Sequence, residues 1–263
     1  MIKQPLKLNY LFSTLFLNPT TDNRTKQCAI ARDSETHVFN GSVLNVPSEV
    51  KPLAHLAEFK LLMSLLQYSQ HINAPCVQFR SINELLKTVG YTPSGFGINA
   101  FYTMINTFKF TTCVFKTESF FSKFDVLTNW ETECTPVGVQ FNQSFWELCQ
   151  GAYALETEKD ILNKFFTVDL TVLKQLKSPK QLQIYLYLCK HLNFKNFFKS
   201  KKFLIEDFIN ETNLHFNSNK VYSLSFDIRK TLTTINHQLP TRLMLNEILF
   251  KDSRQIQFLR SYC

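Results

Sequence analysis

Apolar positions between residues 82 and 105 recur at spacings of three and four, and the same pattern returns 123 positions later without a gap. Ile82, Leu85 and Leu86 match Ile205, Phe208 and Ile209, and Glu84 matches Asp207. The register continues from Tyr91 to Leu214, Ile98 to Val221, Phe101 to Leu224 and Ile105 to Ile228. Such spacing keeps the apolar side chains on one helical face. The break near Tyr91 and Leu214 splits each copy into two helices. Two helices joined by a short turn form a helix-turn-helix, whose second helix can enter a DNA major groove. The pattern therefore predicts a duplicated DNA-binding module.

The flanking pattern extends each copy. Residues 52–70 read as an amphipathic helix burying Leu53, Leu56, Phe59, Leu62, Met63 and Leu66, and 76–80 alternates as a short strand. Ser81 and Glu84 form a capping box that starts a helix running to Val89, where Gly90 supplies the left-handed stop. Thr92, Pro93, Ser94 and Gly95 turn the chain into a helix over 97–108. Strands over 111–116 and 120–128 follow, joined near Thr117, Glu118 and Ser119. Helix, strand, helix, helix, hairpin is the order of a winged helix. A strand over 137–142 and a helix over 143–149 lead away from it.

A second series begins at Phe166. Ser178, Pro179 and Gln181 start a helix to Asn193, with proline where its missing amide is harmless. A basic loop over 195–202, a strand over 203–205 and a helix to Asn213 come next. A helix over 218–235 and strands over 243–250 and 255–260 complete the repeated order. The expected fold class is α+β: two tandem winged-helix domains with β-hairpin wings. The expected division is an N-terminal arm over 1–45, a first domain over 46–135, and a second over 136–263 with a linker strand and helix at 136–165.

The formal net charge of +8 is unevenly placed: residues 1–150 hold 12 Lys/Arg against 11 Asp/Glu, and residues 151–263 hold 17 against 10. The later half is thus expected to attract a polyanion. AT-rich codons would raise Lys, Asn and Phe together, but would not create the asymmetry. Seven cysteines are scattered with no Cys-x-x-Cys pair, so they predict neither a zinc ribbon nor a disulfide framework. Lys3 and Lys7 precede an apolar run over 8–17, but Asn9, Ser13 and Thr14 interrupt it and no small-residue cleavage site follows. The cysteines read as small apolar fillers in a reducing cytosol, so a cytoplasmic location is expected, and no stretch approaches the ~20 apolar residues needed to span a bilayer.

The helix over 218–235 is the foremost candidate for chemistry. Val221, Leu224, Ile228, Leu232 and Ile235 form its buried stripe. Asn219, Lys220, Tyr222, Ser223, Phe226, Arg229, Lys230 and Thr233 face away. Asn219, Lys220 and Ser223 offer donors and acceptors in the half that reaches base edges, while Arg229 and Lys230 suit phosphate or guanine. An ordinary solvated face with Phe226 tucked into the core is the competing reading. The first-copy helix offers Asn99, Tyr102, Thr103 and Asn106, then Lys109, behind the turn at Ser94; DNA-facing and protein-contact roles are both open for it. In the second wing, Arg242, Lys251 and Arg254 are expected to hold phosphates.

Enzymatic readings lack residues. None of the six glycines form a Gly-x-x-x-x-Gly-Lys phosphate loop, and the six histidines show no His-x-His or His-x-x-x-His spacing. Glu156, Glu158 and Asp160 read as a solvated helix start. No catalytic residue, metal or cofactor is expected.

Several runs resemble plasmid replication initiators of the RepA/TrfA kind. FNQSFWEL at 141–148, VDL at 168–170, LKQL at 173–176 and SPKQL at 178–182 leading to YLYL at 185–188 carry the likeness. SINELL at 81–86 and GYTPSG at 90–95 are similar to that family's first helix-turn-helix. The chain departs in having Tyr187 where tryptophan is frequent, and in favouring lysine over arginine. The resemblance implies theta-type plasmid replication, with tandem winged helices on repeated origin sites (iterons) and recruitment of host replication proteins such as a helicase or its loader. It also implies a homodimer that represses its own gene. A winged-helix transcription regulator and a protein-interaction module without DNA binding are the alternatives.

Overall fold

The computed structural model describes residues 6–9, 25–30, 39–45, 56–109, 111–116, 121–131, 137–150, 165–192, 200–212, 214, 221–237, 242–249 and 255–261. The chain folds as two compact units, Met1–Thr167 and Val168–Cys263.

Local chemistry sets the helices of unit 1 as the sequence dictates. Its elements are β1 (Leu6–Asn9), β2 (Thr25–Ile30), β3 (Phe39–Asn45), α1 (Leu56–Ile72), β4 (Cys76–Phe79), α2 (Ile82–Val89) and α3 (Gly95–Lys109). Then come β5 (Thr111–Lys116), β6 (Phe121–Asp125), β7 (Leu127–Glu131), β8 (Val137–Phe141), α4 (Gln143–Gln150) and β9 (Phe165–Val168). Ser81 Oγ accepts from the Glu84 amide at 3.3 Å, so the cap forms. Glu84 reaches back one residue further than expected, accepting from the Arg80 amide at 2.8 Å. Gly90 ends α2 at φ 90°, a left-handed conformation that glycine adopts without Cβ strain. Leu61, Leu62, Leu65 and Leu66 of α1, Leu85 and Leu86 of α2, and Phe101 and Ile105 of α3 are fully buried.

Strand pairing in unit 1 departs from expectation. The β5–β6 hairpin forms, but it extends a four-stranded sheet in the order β2-β3-β5-β6. β4 pairs instead with β8, in a separate sheet ordered β4-β8-β7. The strand expected over 120–128 is therefore two strands, parting at Val126, with β6 on β5 and β7 on β8. Apolar alternation explains β8: Val137, Val139 and Phe141 are buried, as are Val77 and Phe79 of β4. Residues 136–150 thus lie within unit 1 rather than leading into the second module. Trp146 Nε1 of α4 donates to Ser69 Oγ of α1 at 2.6 Å, fastening that helix to the unit. The boundary between the units accordingly follows Thr167 rather than residue 135. The described residues among 1–45 also supply three strands, and β1 is held by Gln70, whose amide bonds the Lys7 carbonyl at 2.9 Å and accepts from its N–H at 3.2 Å.

Unit 2 comprises α5 (Leu170–Gln175), α6 (Pro179–His191), β10 (Ser200–Leu204), α7 (Ile205–Thr212), α8 (Val221–Asn236), β11 (Arg242–Leu249) and β12 (Gln255–Ser261). Ser178 caps α6, accepting from the Gln181 amide at 3.3 Å, with Pro179 in the first turn. The sheet runs β10-β12-β11, the same first-last-middle order as β4-β8-β7. α7 starts at Ile205, which the sequence pattern places in the strand. α2 and α7 lie at the 123-residue offset read from the pattern. Each unit repeats helix, strand, helix, helix and a later strand pair, in an α+β architecture. Among the described residues no helix is long and apolar enough to cross a membrane.

Candidate nucleic-acid interface

Inner-face packing determines what α8 shows to solvent. Leu224, Ile228, Leu232 and Ile235 are buried at the helical spacing the sequence set out, with Thr231 buried beside them, and the side chain of Val221 lies outside the described residues. Asn236 fixes the end of α8 to β11: its Nδ2 donates to the Leu243 carbonyl at 2.8 Å and its Oδ1 accepts from the Leu243 N–H at 2.9 Å. Gln181 Nε2 of α6 donates to Thr234 Oγ1 at 3.3 Å. These bonds leave α8 little freedom to roll.

Residues 222, 226, 229 and 233 share the opposite stripe of a 3.6-residue helix. Tyr222 is 89% exposed and Phe226 63% exposed, and Ser223, Arg229, Lys230 and Thr233 are also exposed. Phe226 is not tucked into the core. Lys230 Nζ stands 5.9 Å from its ring centroid, within reach of a cation–π attraction. Arg229 Nε donates to Ser225 Oγ at 3.3 Å. Asp227 is the one acidic residue of α8, and Lys180 of α6 pairs with it at 3.0 Å. The outward stripe therefore presents cations and aromatics.

A part-buried charge cluster joins α6 to α7. Lys190 Nζ, with only 4% of its side chain exposed, lies 3.1 Å from Glu211 Oε2. His191 Nε2 lies 2.9 Å from Glu211 Oε1, with its ring 4.3 Å from that of Tyr187. Burial alone would raise the Glu211 carboxyl; the His191 hydrogen bond and the Lys190 charge outweigh it and hold the group below its ordinary value. Burial also raises the Tyr187 phenol, and it pushes the Cys189 thiol up to about 12, so that cysteine is an inert filler.

The structure distributes the sequence-predicted residues unevenly. Tyr222, Ser223, Arg229 and Lys230 come together on the outer face of α8. Asn219, Lys220, Lys251 and Arg254 lie outside the described residues, as do the side chains of Arg242, Asn106 and Lys109. On α3, Asn99 and Thr103 are exposed, and Tyr102 is half-buried with its ring edge-on to Phe101 at 6.3 Å. Ser94 is exposed but its hydroxyl is committed to the helix cap, accepting from the Gly97 amide at 3.1 Å. A Cβ at Gly97 would meet the Thr92 carbonyl oxygen at 2.3 Å, so this turn requires glycine. The sequence pattern gives no role to Phe226 or to the exposed Lys180, Lys201 and Lys202; for Phe226 the available signal is its position four residues after Tyr222.

Charge follows the unit division. Met1–Thr167 contains 14 Lys/Arg and 14 Asp/Glu, whereas Val168–Cys263 contains 15 and 7, so unit 2 accounts for the whole net charge of +8.

Two structures of RctB domains share this fold. A crystal structure of a selenomethionine derivative of domains 2 and 3 of RctB matches with a TM-score of 0.61 and 12% identity, over 95% of this chain and 96% of that one. A second structure of RctB domains 2–3 gives 0.57 and 12%, over 96% of each. A crystal structure of the Pi initiator protein in complex with iteron DNA gives 0.41 and 14%, over 98% of this chain and 97% of that one. No protein-family profile and no curated protein sequence matches the chain. At these identities the likeness to the RctB domains is one of fold.

Proposed function

We propose that this chain is a non-enzymatic, sequence-specific initiator of theta-type plasmid replication. It binds repeated double-stranded origin sites and recruits host replication proteins in the bacterial cytoplasm. In this reading both units are winged helices and α8 is the principal recognition helix. The observation that carries the proposal is the outward stripe of α8, where Arg229 and Lys230 are exposed and the helix's one acid is paired with Lys180. A duplex supplies the complementary surface, with phosphates for the cations and base edges for the polar side chains. The wing residues Arg242, Lys251 and Arg254 hold phosphates. The fold shared with the RctB domains and the initiator-like runs in the sequence support the same reading.

The first unit favours a second role. Its charges balance, and the exposed Asn99 and Thr103 of α3 are uncharged, which suits a protein contact better than polyanion attraction. Electrophoretic mobility shift with the DNA flanking the gene tests binding, and equal affinity for a scrambled duplex at physiological salt rejects it. A minimal plasmid carrying the gene and that flanking DNA tests initiation; binding without replication in a permissive host leaves a transcription regulator.

A further inference from the structure

Unit 2 fills its core without Tyr222 or Phe226. Leu224, Ile228, Leu232 and Ile235 supply the inner stripe of α8, yet Tyr222 and Phe226 stand 89% and 63% exposed on the outer one. Single exposed aromatics are ordinary. Here there are two, four residues apart, at positions where the first copy carries Asn99 and Thr103. Arg229 and Lys230 flank them, and the Lys230 ammonium lies 5.9 Å from the Phe226 ring centroid. A matching surface must be anionic at its rim and apolar on its floor. The major groove at thymines meets both conditions, with phosphates at the edge and 5-methyl groups facing the groove.

We infer that Tyr222 and Phe226 are specificity-determining residues that contact thymine methyl groups in the major groove, with Arg229 and Lys230 holding the adjacent phosphates. This rests on α8 being the recognition helix proposed above. Four residues of α-helix rise about 6 Å. With base pairs about 3.4 Å apart, a helix lying along the groove sets the two rings about two base-pair steps apart. The site should therefore contain two thymines at that separation, on either strand.

The test uses the full chain and duplexes it enriches from a random-sequence pool. Each thymine in an enriched duplex is replaced in turn by deoxyuridine, which removes only the methyl. Two replacements about two steps apart should each weaken binding about fourfold, the value of one buried methyl-sized group. Phe226→Ala should lose that sensitivity at one position and Tyr222→Ala at the other. Phe226→Leu should retain it, because an apolar side chain remains. Both side chains are exposed, so unchanged unfolding midpoints should accompany these effects. Enrichment with no sensitivity to deoxyuridine at any thymine overturns the inference while leaving DNA recognition in place. Failure to enrich any duplex removes the initiator reading as well.

Discussion

Facing solvent, α3 carries Asn99 and Thr103 where α8 carries Tyr222 and Phe226, although the inner stripes correspond, Phe101 to Leu224 and Ile105 to Ile228. The sheets correspond as well, β4-β8-β7 to β10-β12-β11. Core positions are held in common because every copy must bury one face against its neighbours. The outer face has no such constraint and has diverged, with all of the net charge in the second unit. Retained scaffold and divergent surface are what the proposed division of roles between the two copies requires.

The sharpest asymmetry lies in the part-buried cluster around Glu211. Its counterpart 123 positions earlier is Thr88, which is exposed. Glu211→Ala removes the carboxylate that pairs with both Lys190 and His191 and should destabilise unit 2 by about 3–5 kcal/mol. Thr88→Ala should change unit 1 by under ~1 kcal/mol. Unit-resolved amide exchange reads both, since a two-unit chain need not unfold in one step. Acid should reproduce the contrast. Glu211 is held below its ordinary value in the fold, so its stabilisation is complete above that ordinary value. It disappears as pH falls through the lower folded value. Unit 2 should therefore lose protection under acid in a way that Glu211→Gln removes.

The shared scaffold makes a symmetrical prediction. Ile105→Ala and Ile228→Ala each empty a fully buried site and should each cost about 2–5 kcal/mol in denaturant unfolding. A large loss in one unit alone would separate the two cores. At the surface the copies should differ again. Arg229→Ala should weaken binding to all duplexes alike and reduce the salt slope by about one, as the loss of a phosphate contact does. The matching Asn106→Ala should stay within about 0.5 kcal/mol if α3 faces a protein. The mildest change is Asp227→Asn, which frees Lys180 from a surface pair worth about 0–1 kcal/mol and should slightly tighten DNA binding.

The helices and their faces are legible in the sequence because they are local. Ser81, Gly90 and Ser178 set ends through hydrogen bonds within a few residues, and three-four spacing identifies the buried stripe of α8. Strand partners are not legible. Alternation shows which face of β5 or β8 is apolar but does not choose a partner across a long sequence separation, and that is where the expected first wing and the observed sheets differ. The strands among residues 1–45 leave no local signature for the same reason, since β3 lies between β2 and the sequence-distant β5. Phe226 sits on the expected outer face, but hydrophobicity alone makes a core position an equal alternative.

In the proposed reading the later copy offers DNA a cationic surface. Affinity of the full chain for the DNA flanking its gene and for a scrambled duplex, measured across a salt series, tests this. The flanking DNA should bind more tightly, with log affinity falling steeply against log salt and a slope reduced by about one in Lys251→Ala. Binding that ignores salt, or equal affinity for both duplexes, would contradict it.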